Sequence, residues 1–271
     1  MLKLIKQILV PFRKGSYKST ITSYEKEKLL SFKDKFKNKR CFIIGNGPSL
    51  NKIDLNILKN EYTFAVNSIF YKTKEMGFKP TFYVVEDQHV LSDNLTEINS
   101  YEVNYKFFPS NYKKFIKNNK NTFFFPFDIG FYREEHLSYK KPRFAKDISE
   151  VIYAGQTVTY INLQLAFYMG FTEIYLIGMD FDYKIPKSAI VNGNTIESVE
   201  NDPNHFHPDY FGKGKKWHNP DLDSVMYNYK KAKETFENEN RKIFNATKGG
   251  KLELFERVDF DKLIRGMDVI Q

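Results

Sequence analysis

The stretch Lys39-Arg40-Cys41-Phe42-Ile43-Ile44-Gly45-Asn46-Gly47-Pro48-Ser49-Leu50 constrains this chain more than any other. Cys41 to Ile44 form a short apolar run that stops at two glycines and a proline, the pattern of a buried parallel strand entering a tight turn. Ser49 or Asn51 is placed to cap a following helix that carries Ile53, Leu55, Ile57 and Leu58. A strand that ends in small residues before a helix N-terminus offers unpaired backbone N–H groups to a phosphate, so a nucleotide or another phosphorylated ligand is expected. Neither familiar glycine fingerprint is present: the third glycine of a dinucleotide loop is missing, and so is the Gly-Lys-Ser/Thr of a P-loop. A plain structural turn, with glycine serving the backbone alone, is the alternative.

From Arg40 onward, strand-like and helix-like segments alternate, which predicts an α/β fold: a mostly parallel sheet with helices on both faces and a lid-like insertion. Thr63–Val66 and Thr81–Val85 read as strands that end in Asn67-Ser68 and Glu86-Asp87-Gln88. Ligands of open α/β sheets sit outside the carboxyl ends of the strands, so Asn46, Asn67, Glu86 and Asp87 are expected along one crevice. Tyr105–Phe108 and Thr122–Phe125 are weaker strand candidates flanking a helix near Asn111–Lys117. Residues 126–152, aromatic and irregular, read as a lid or a small insertion.

Tyr153 to Asp182 forms a second strong unit. Gln156 and Thr157 open a helix with Val158, Ile161, Leu165 and Tyr168 on its apolar side, stopped by Gly170. Thr172–Ile177 is then a buried strand that delivers Asp180, Asp182 and Tyr183 to the same rim. The helix start is a second anion site, or Gln156 and Thr157 act as caps alone.

Residues 184–220 lack periodicity and read as a lid holding His205, His207 and His218. His205, His207 and Asp209 are a weak metal cluster, without helical spacing or a second ligand group. A general acid or base is the other reading, and His218, just before a helix over Asp221–Asn238, is best placed for it. After a last short strand, Asn245, Thr247 and Lys248 are candidates to close over a nucleotide, with Lys248 as a phosphate partner.

A formal charge of +9, from 42 Lys and Arg against 33 Asp and Glu, favours anionic partners. The lysines are dispersed rather than gathered into a stripe with interleaved aromatics, which argues against nucleic acid. The lone Cys41 permits no intrachain disulfide and suits a reducing cytoplasm. Met1–Arg13 reads as an amphipathic basic helix closed by Pro11. It is expected either to rest peripherally on an anionic inner-membrane surface or to pack on the body or a second subunit of a homo-oligomer. The chain thus divides into a basic N-terminal segment, 1–38, and a nucleotide-sugar-binding domain, 39–271, with its lid around 184–220.

These blocks resemble the bacterial lipo-oligosaccharide sialyltransferases over roughly residues 40 to 250: Gly45-Asn46-Gly47-Pro48-Ser49-Leu50, the exit with Asn67, Ala166 to Phe181 with its Gly178-Met179-Asp180-Phe181, and the late histidine loop. They are also similar to the pterin pyrophosphokinase-like proteins and the accessory factors of flagellin glycosylation. The resemblance implies a modified nucleotide-binding fold in which CMP-sialic acid lies across the crevice under a lid. By that analogy Asn46, Gly47 and Ser49 hold phosphate and ribose, and Asn67 contacts the cytidine. Tyr183 lies near the family's phosphate-stabilising tyrosines, and His218 falls where its general base lies. The implied reaction is an inverting displacement that moves sialic acid, or a related acidic sugar, to a glycan or glycolipid acceptor of lipopolysaccharide or capsule, with no cofactor or metal.

The chain departs from that pattern in three places. Asp182 occupies the tyrosine's position, the arginine before the central helix has no counterpart in Tyr153-Ala154-Gly155-Gln156, and Glu86-Asp87 replaces an amide-bearing stretch. Two acids at a strand exit are also a seat for Mg²⁺ beneath a triphosphate, which keeps an Mg-dependent pyrophosphokinase as the alternative. A non-catalytic glycan-assembly factor is the third reading.

Overall fold

The computed structural model describes residues 17–219 and 221–265; the expected Met1–Arg13 helix lies outside them. Eight parallel strands form one sheet: β1 (Arg40–Ile44), β2 (Thr63–Val66), β3 (Phe82–Val84), β4 (Tyr105–Pro109), β5 (Thr122–Phe125), β8 (Glu173–Ile177), β12 (Lys242–Asn245) and β13 (Glu256–Arg257). A parallel pair, β6 (Phe127–Asp128) and β7 (Ile152–Tyr153), and an antiparallel sheet, β9 (Ile190–Asn192), β10 (Thr195–Glu197) and β11 (Lys216–His218), stand apart. The main order is β13-β12-β8-β1-β2-β3-β4-β5. The chain therefore moves outward from β1 through β5, then returns to the other side of β1 with β8. That reversal makes a switch point between β1 and β8, where an open α/β sheet gathers its ligand.

Alternation along β1 builds two cores. Cys41 and Ile43 join the cluster on one face, and Phe42 and Ile44 join the cluster on the other. The first face is covered by α1 (Ser23–Leu30), α5 (Val158–Tyr168) and α6 (Leu222–Glu237), which supply Leu29, Leu165 and Phe236. All eleven residues of α5 are buried, so its role is that of a central core helix rather than an amphipathic one. The short helices α2 (Thr73–Met76), α3 (Gln88–Asp93), α4 (Leu95–Ser100) and α7 (Phe260–Arg265) line the other face with Met76, Val90, Leu91, Ile98 and Phe260.

Several expectations change. No α-helix follows Ser49: Pro48–Lys52 and Leu55–Leu58 are two separate 3₁₀ turns. Pro48 and the buried Leu50 and Leu55 draw the chain against the sheet before an α-helical nucleus can extend. Asn111–Lys117 likewise yields only a 3₁₀ turn, Ser110–Tyr112. Residues 126–152 are no lid, because Phe127, Phe131, Ile148 and Ile152 sit in the core. The bidentate Arg143–Asp128 pair, at 2.7 and 3.1 Å, ties this segment together. The 184–219 segment holds the β9–β11 sheet, whose β9 carries the half-exposed Ile190 and Val191. No helix among the described residues is long and apolar enough to cross a membrane.

Candidate functional site

The turn after β1 spends its backbone donors on the protein itself. Gly45 N–H donates to Ile177 O at 2.7 Å, Gly47 N–H to Gly178 O at 2.9 Å, and Leu50 N–H to Gly47 O at 3.1 Å. Ser49 gives its N–H to Asp180 Oδ1 at 3.2 Å and its hydroxyl to Asp180 Oδ2 at 2.6 Å. The Asp180 carboxylate thus fills the anion position of this turn. Gly47 is required because a Cβ there would lie 1.9 Å from Asp180 Oδ2. The expected phosphate cradle is therefore a strand-to-strand clasp between the exits of β1 and β8.

Beside this clasp a cavity of about 200 Å³ opens at the carboxyl ends of the strands. Gly45, Asn46, Gly47, Asn67, Glu86, Asp87, Gln156, Thr157, Asp180, Asp182, Tyr183 and His218 line it, so the strand-exit rule brought them together across 173 positions of sequence. Ser49 is buried in the clasp. Asn245, Thr247 and Lys248 do not line the cavity: Asn245 holds Leu252 O, the Thr247 hydroxyl accepts from Met179 N–H, and Lys248 pairs with Asp261 at 2.7 Å. These three brace the turn after β12.

The central pair is His218 and Asp87. His218 Nδ1 lies 3.0 Å from Asp87 Oδ2, while Asp87 Oδ1 accepts from His89 N–H at 2.7 Å and Val90 N–H at 3.0 Å, capping α3. The Asp87 hydrogen bond raises the His218 pKa against the effect of burial, and the charges of Asp87 and Glu86 add to it. Burial works against the Asp87 carboxylate, but the His218 bond and charge and the Val90 N–H hold its pKa below the ordinary value. Burial, and then the charge of Asp87, push Glu86 up to about 7. Asp87 is thus held ionised beside the His218 imidazole, while the neighbouring Glu86 carboxyl titrates near neutral pH. The His89 ring lies 4.7 Å from that of His218.

A second histidine–aspartate pair lies in the segment over the cavity. His205 Nδ1 is 2.6 Å from Asp202 Oδ2, and the His205 ring stacks on Tyr210 at 4.1 Å and 4°. Phe206 N–H donates to Asn46 O at 2.9 Å, Asn46 Nδ2 to the Tyr210 hydroxyl at 2.8 Å, and Asn51 Nδ2 to Phe206 O at 3.0 Å. His205, Tyr210, Thr159 and Tyr229 line the cavity and were not among the sequence candidates for substrate. The Asp-x-x-His spacing of Asp202 and His205 was the available signal. The metal reading of His205, His207 and Asp209 fails on geometry. His207 stacks on Tyr71 at 4.8 Å, and among the described residues no group of three His, Cys, Asp or Glu is placed to hold a metal ion.

Lining residues include no Lys or Arg among those described. Asp182 is offset by Lys251 at 2.8 Å, and Asp180 by Ser49. Two buried amide oxygens, Asn46 Oδ1 and Asn67 Oδ1, have no protein donor. The cavity therefore presents acceptors, two imidazoles and the start of α5, where Gln156 to Thr159 line the wall. Thr157 caps this helix, its side chain accepting from Thr159 N–H at 3.3 Å, and Gln156 N–H donates to the Tyr132 hydroxyl at 3.1 Å, so part of the helix start is already satisfied by the protein. Tyr183 has 43% of its surface exposed, yet burial of its hydroxyl end and the charges of Asp202 and Asp180 push its pKa up to about 12. It is a neutral donor at pH 7.

Two solved structures share part of this outline at low identity. The Maf glycosyltransferase from Magnetospirillum magneticum AMB-1 is 14% identical with a TM-score of 0.49, covering 91% of this chain and 41% of that one. This chain thus spans about two-fifths of its length. The sialyltransferase CstII from Campylobacter jejuni, in complex with the substrate analogue cytidine-5'-monophosphate, is 17% identical with a TM-score of 0.44, covering 82% of this chain and 85% of that one. No curated protein gives a significant match. A family model described as 6-hydroxymethylpterin diphosphokinase MptE-like matches residues 16–186, well over half of the sequence. The chain belongs to the MptE-like family.

Proposed function

We propose that the protein is an inverting glycosyltransferase that moves an acidic sugar from a CMP donor to a cell-surface glycan or glycolipid. The carrying observation is the His218–Asp87 pair at the rim of the switch-point cavity. With Nδ1–H donated to Asp87, the His218 Nε2 lone pair is available to an acceptor hydroxyl, and the raised pKa makes it a stronger base. His218 Nε2 takes the hydroxyl proton as the acceptor oxygen bonds to the anomeric carbon and the bond to the CMP phosphate breaks. The start of α5 and the Thr157 and Tyr183 hydroxyls supply donors to the departing phosphate. Asn46 and Asn67, which line the cavity, carry amide groups of the kind that pair with a cytidine.

The family description favours a second reading, an Mg-dependent diphosphokinase. The carboxylates fit it poorly: both Asp87 oxygens are engaged, and Glu86 titrates near 7. A non-catalytic role in glycan assembly predicts binding without turnover. The test is CMP release from CMP-sialic acid with lactose as acceptor, in wild type and His218→Ala. A general base predicts a loss of about 100- to 10,000-fold. Equal release by both proteins contradicts the assignment of His218, and none from wild type contradicts the donor.

A further inference from the structure

We propose that His205, oriented by Asp202, is the general acid that protonates the departing phosphate, a role that rests on the donor reading above. His205 is nearly buried, with 9% of its side chain exposed, and Asp202 is 3% exposed. With Nδ1 bound to Asp202, Nε2 is the ring nitrogen left for the cavity that His205 lines. Asp202 is itself fixed, taking the N–H groups of Asn204 at 2.8 Å and Phe211 at 2.9 Å.

Placement separates the two histidines by function. The 205–210 segment is docked on the exit of β1 through three bonds to Asn46 and Asn51. His218 is held over the exit of β3 by Asp87. The exit of β2, with Asn67, lies between them. Strands β1 and β3 are two steps apart, roughly 10 Å at the usual spacing. An inverting displacement needs its base and its leaving group on opposite faces of the sugar, and a span of this order admits both. With no Lys or Arg among the described lining residues, and with Tyr183 pushed up to about 12 and so held to hydrogen bonding, His205 is the group suited to give up a proton near neutral pH on the side away from His218.

The step balances with two protons in motion. The acceptor O–H proton goes to His218 Nε2, and the acceptor oxygen bonds the anomeric carbon. The anomeric carbon–phosphate oxygen bond breaks with its electron pair on the phosphate oxygen, and protonated His205 gives its Nε2 proton to that oxygen. Exchange with water restores both imidazoles.

The test compares His205→Phe, which keeps a planar ring against Tyr210, and His205→Gln, measuring CMP affinity and CMP release from CMP-sialic acid. Asp202→Asn serves as the positioning variant. The proposal predicts kcat lowered about 100-fold in His205→Phe, His205→Gln and a third variant, His205→Ala, with KM and CMP affinity within threefold of wild type, and partial recovery of His205→Ala by added imidazole. A rise in KM at unchanged kcat, or a loss below fivefold in whichever variant folds, overturns it and leaves the donor reading intact. Absence of turnover in wild type overturns both.

Discussion

At the scale of single residues, activity and stability both turn on where a few protons reside. His218 must be neutral to act as a base, so kcat/KM should rise with pH through a midpoint above the ordinary histidine value of 6.5. Stability moves the other way. The raised His218 pKa contributes stability that is full below pH 6.5 and is lost as pH rises through the folded value. The lowered Asp87 pKa contributes stability above its ordinary 3.8 that is lost as pH falls through the folded value. Asp87→Asn should therefore lower the Tm more at pH 6 than at pH 8.5; equal losses at both would show the pair to be uncharged. Glu86 has the opposite sign to Asp87. Its carboxyl stays protonated in the fold up to about pH 7, so the folded state loses stability between the ordinary 4.5 and 7. Glu86→Gln should stabilise the protein by about 3 kcal/mol at pH 8 and hardly at pH 4.5, read by thermal melts.

At the scale of elements, the strands of the main sheet other than β13 were legible because a doubly covered parallel strand is a continuous apolar run, as residues 41–44 and 174–177 are, whereas β13 is the exposed charged pair Glu256–Arg257. The helix after Ser49 was not, because local periodicity does not reveal that Leu50 anchors one 3₁₀ turn and Leu55 and Leu58 another. The strands β9–β11 were invisible for a related reason: three-residue strands, one fully exposed, carry no periodicity. The exits that line the cavity followed from topology alone. What could not be read was pairing over distance: Asp180 closing the turn at Ser49, and Asp87 meeting His218 across 131 positions. The clasp yields its own prediction. Gly47→Ala forces a Cβ into Asp180 and should cost about 2–3 kcal/mol by denaturant unfolding. A neutral effect would contradict the close approach of the β1 and β8 exits.

At the scale of the molecule, one cavity gathers residues from both halves of the sheet and from the 184–219 segment above it. Its roughly 200 Å³ is below the 300–1,000 Å³ usual for small-molecule sites, so the 184–219 segment is expected to adjust around a bound nucleotide sugar. Lys184, Lys187, Lys213 and Lys216 are exposed on it. Tyr210→Phe, which removes the bond to Asn46, should speed tryptic cleavage there, and CMP should slow it. The central claim is that the cavity receives a nucleotide donor without a metal and that His218 acts on the acceptor rather than holding the nucleotide. Calorimetric titration of CMP, and of ATP with Mg²⁺, into wild type and His218→Ala tests it most directly. The account predicts that CMP binds both proteins with affinities within threefold of each other, unchanged by a chelator. Binding of ATP with Mg²⁺ alone, lost on chelation, would contradict it and turn the carboxylates of Glu86 and Asp87 into the reacting centre.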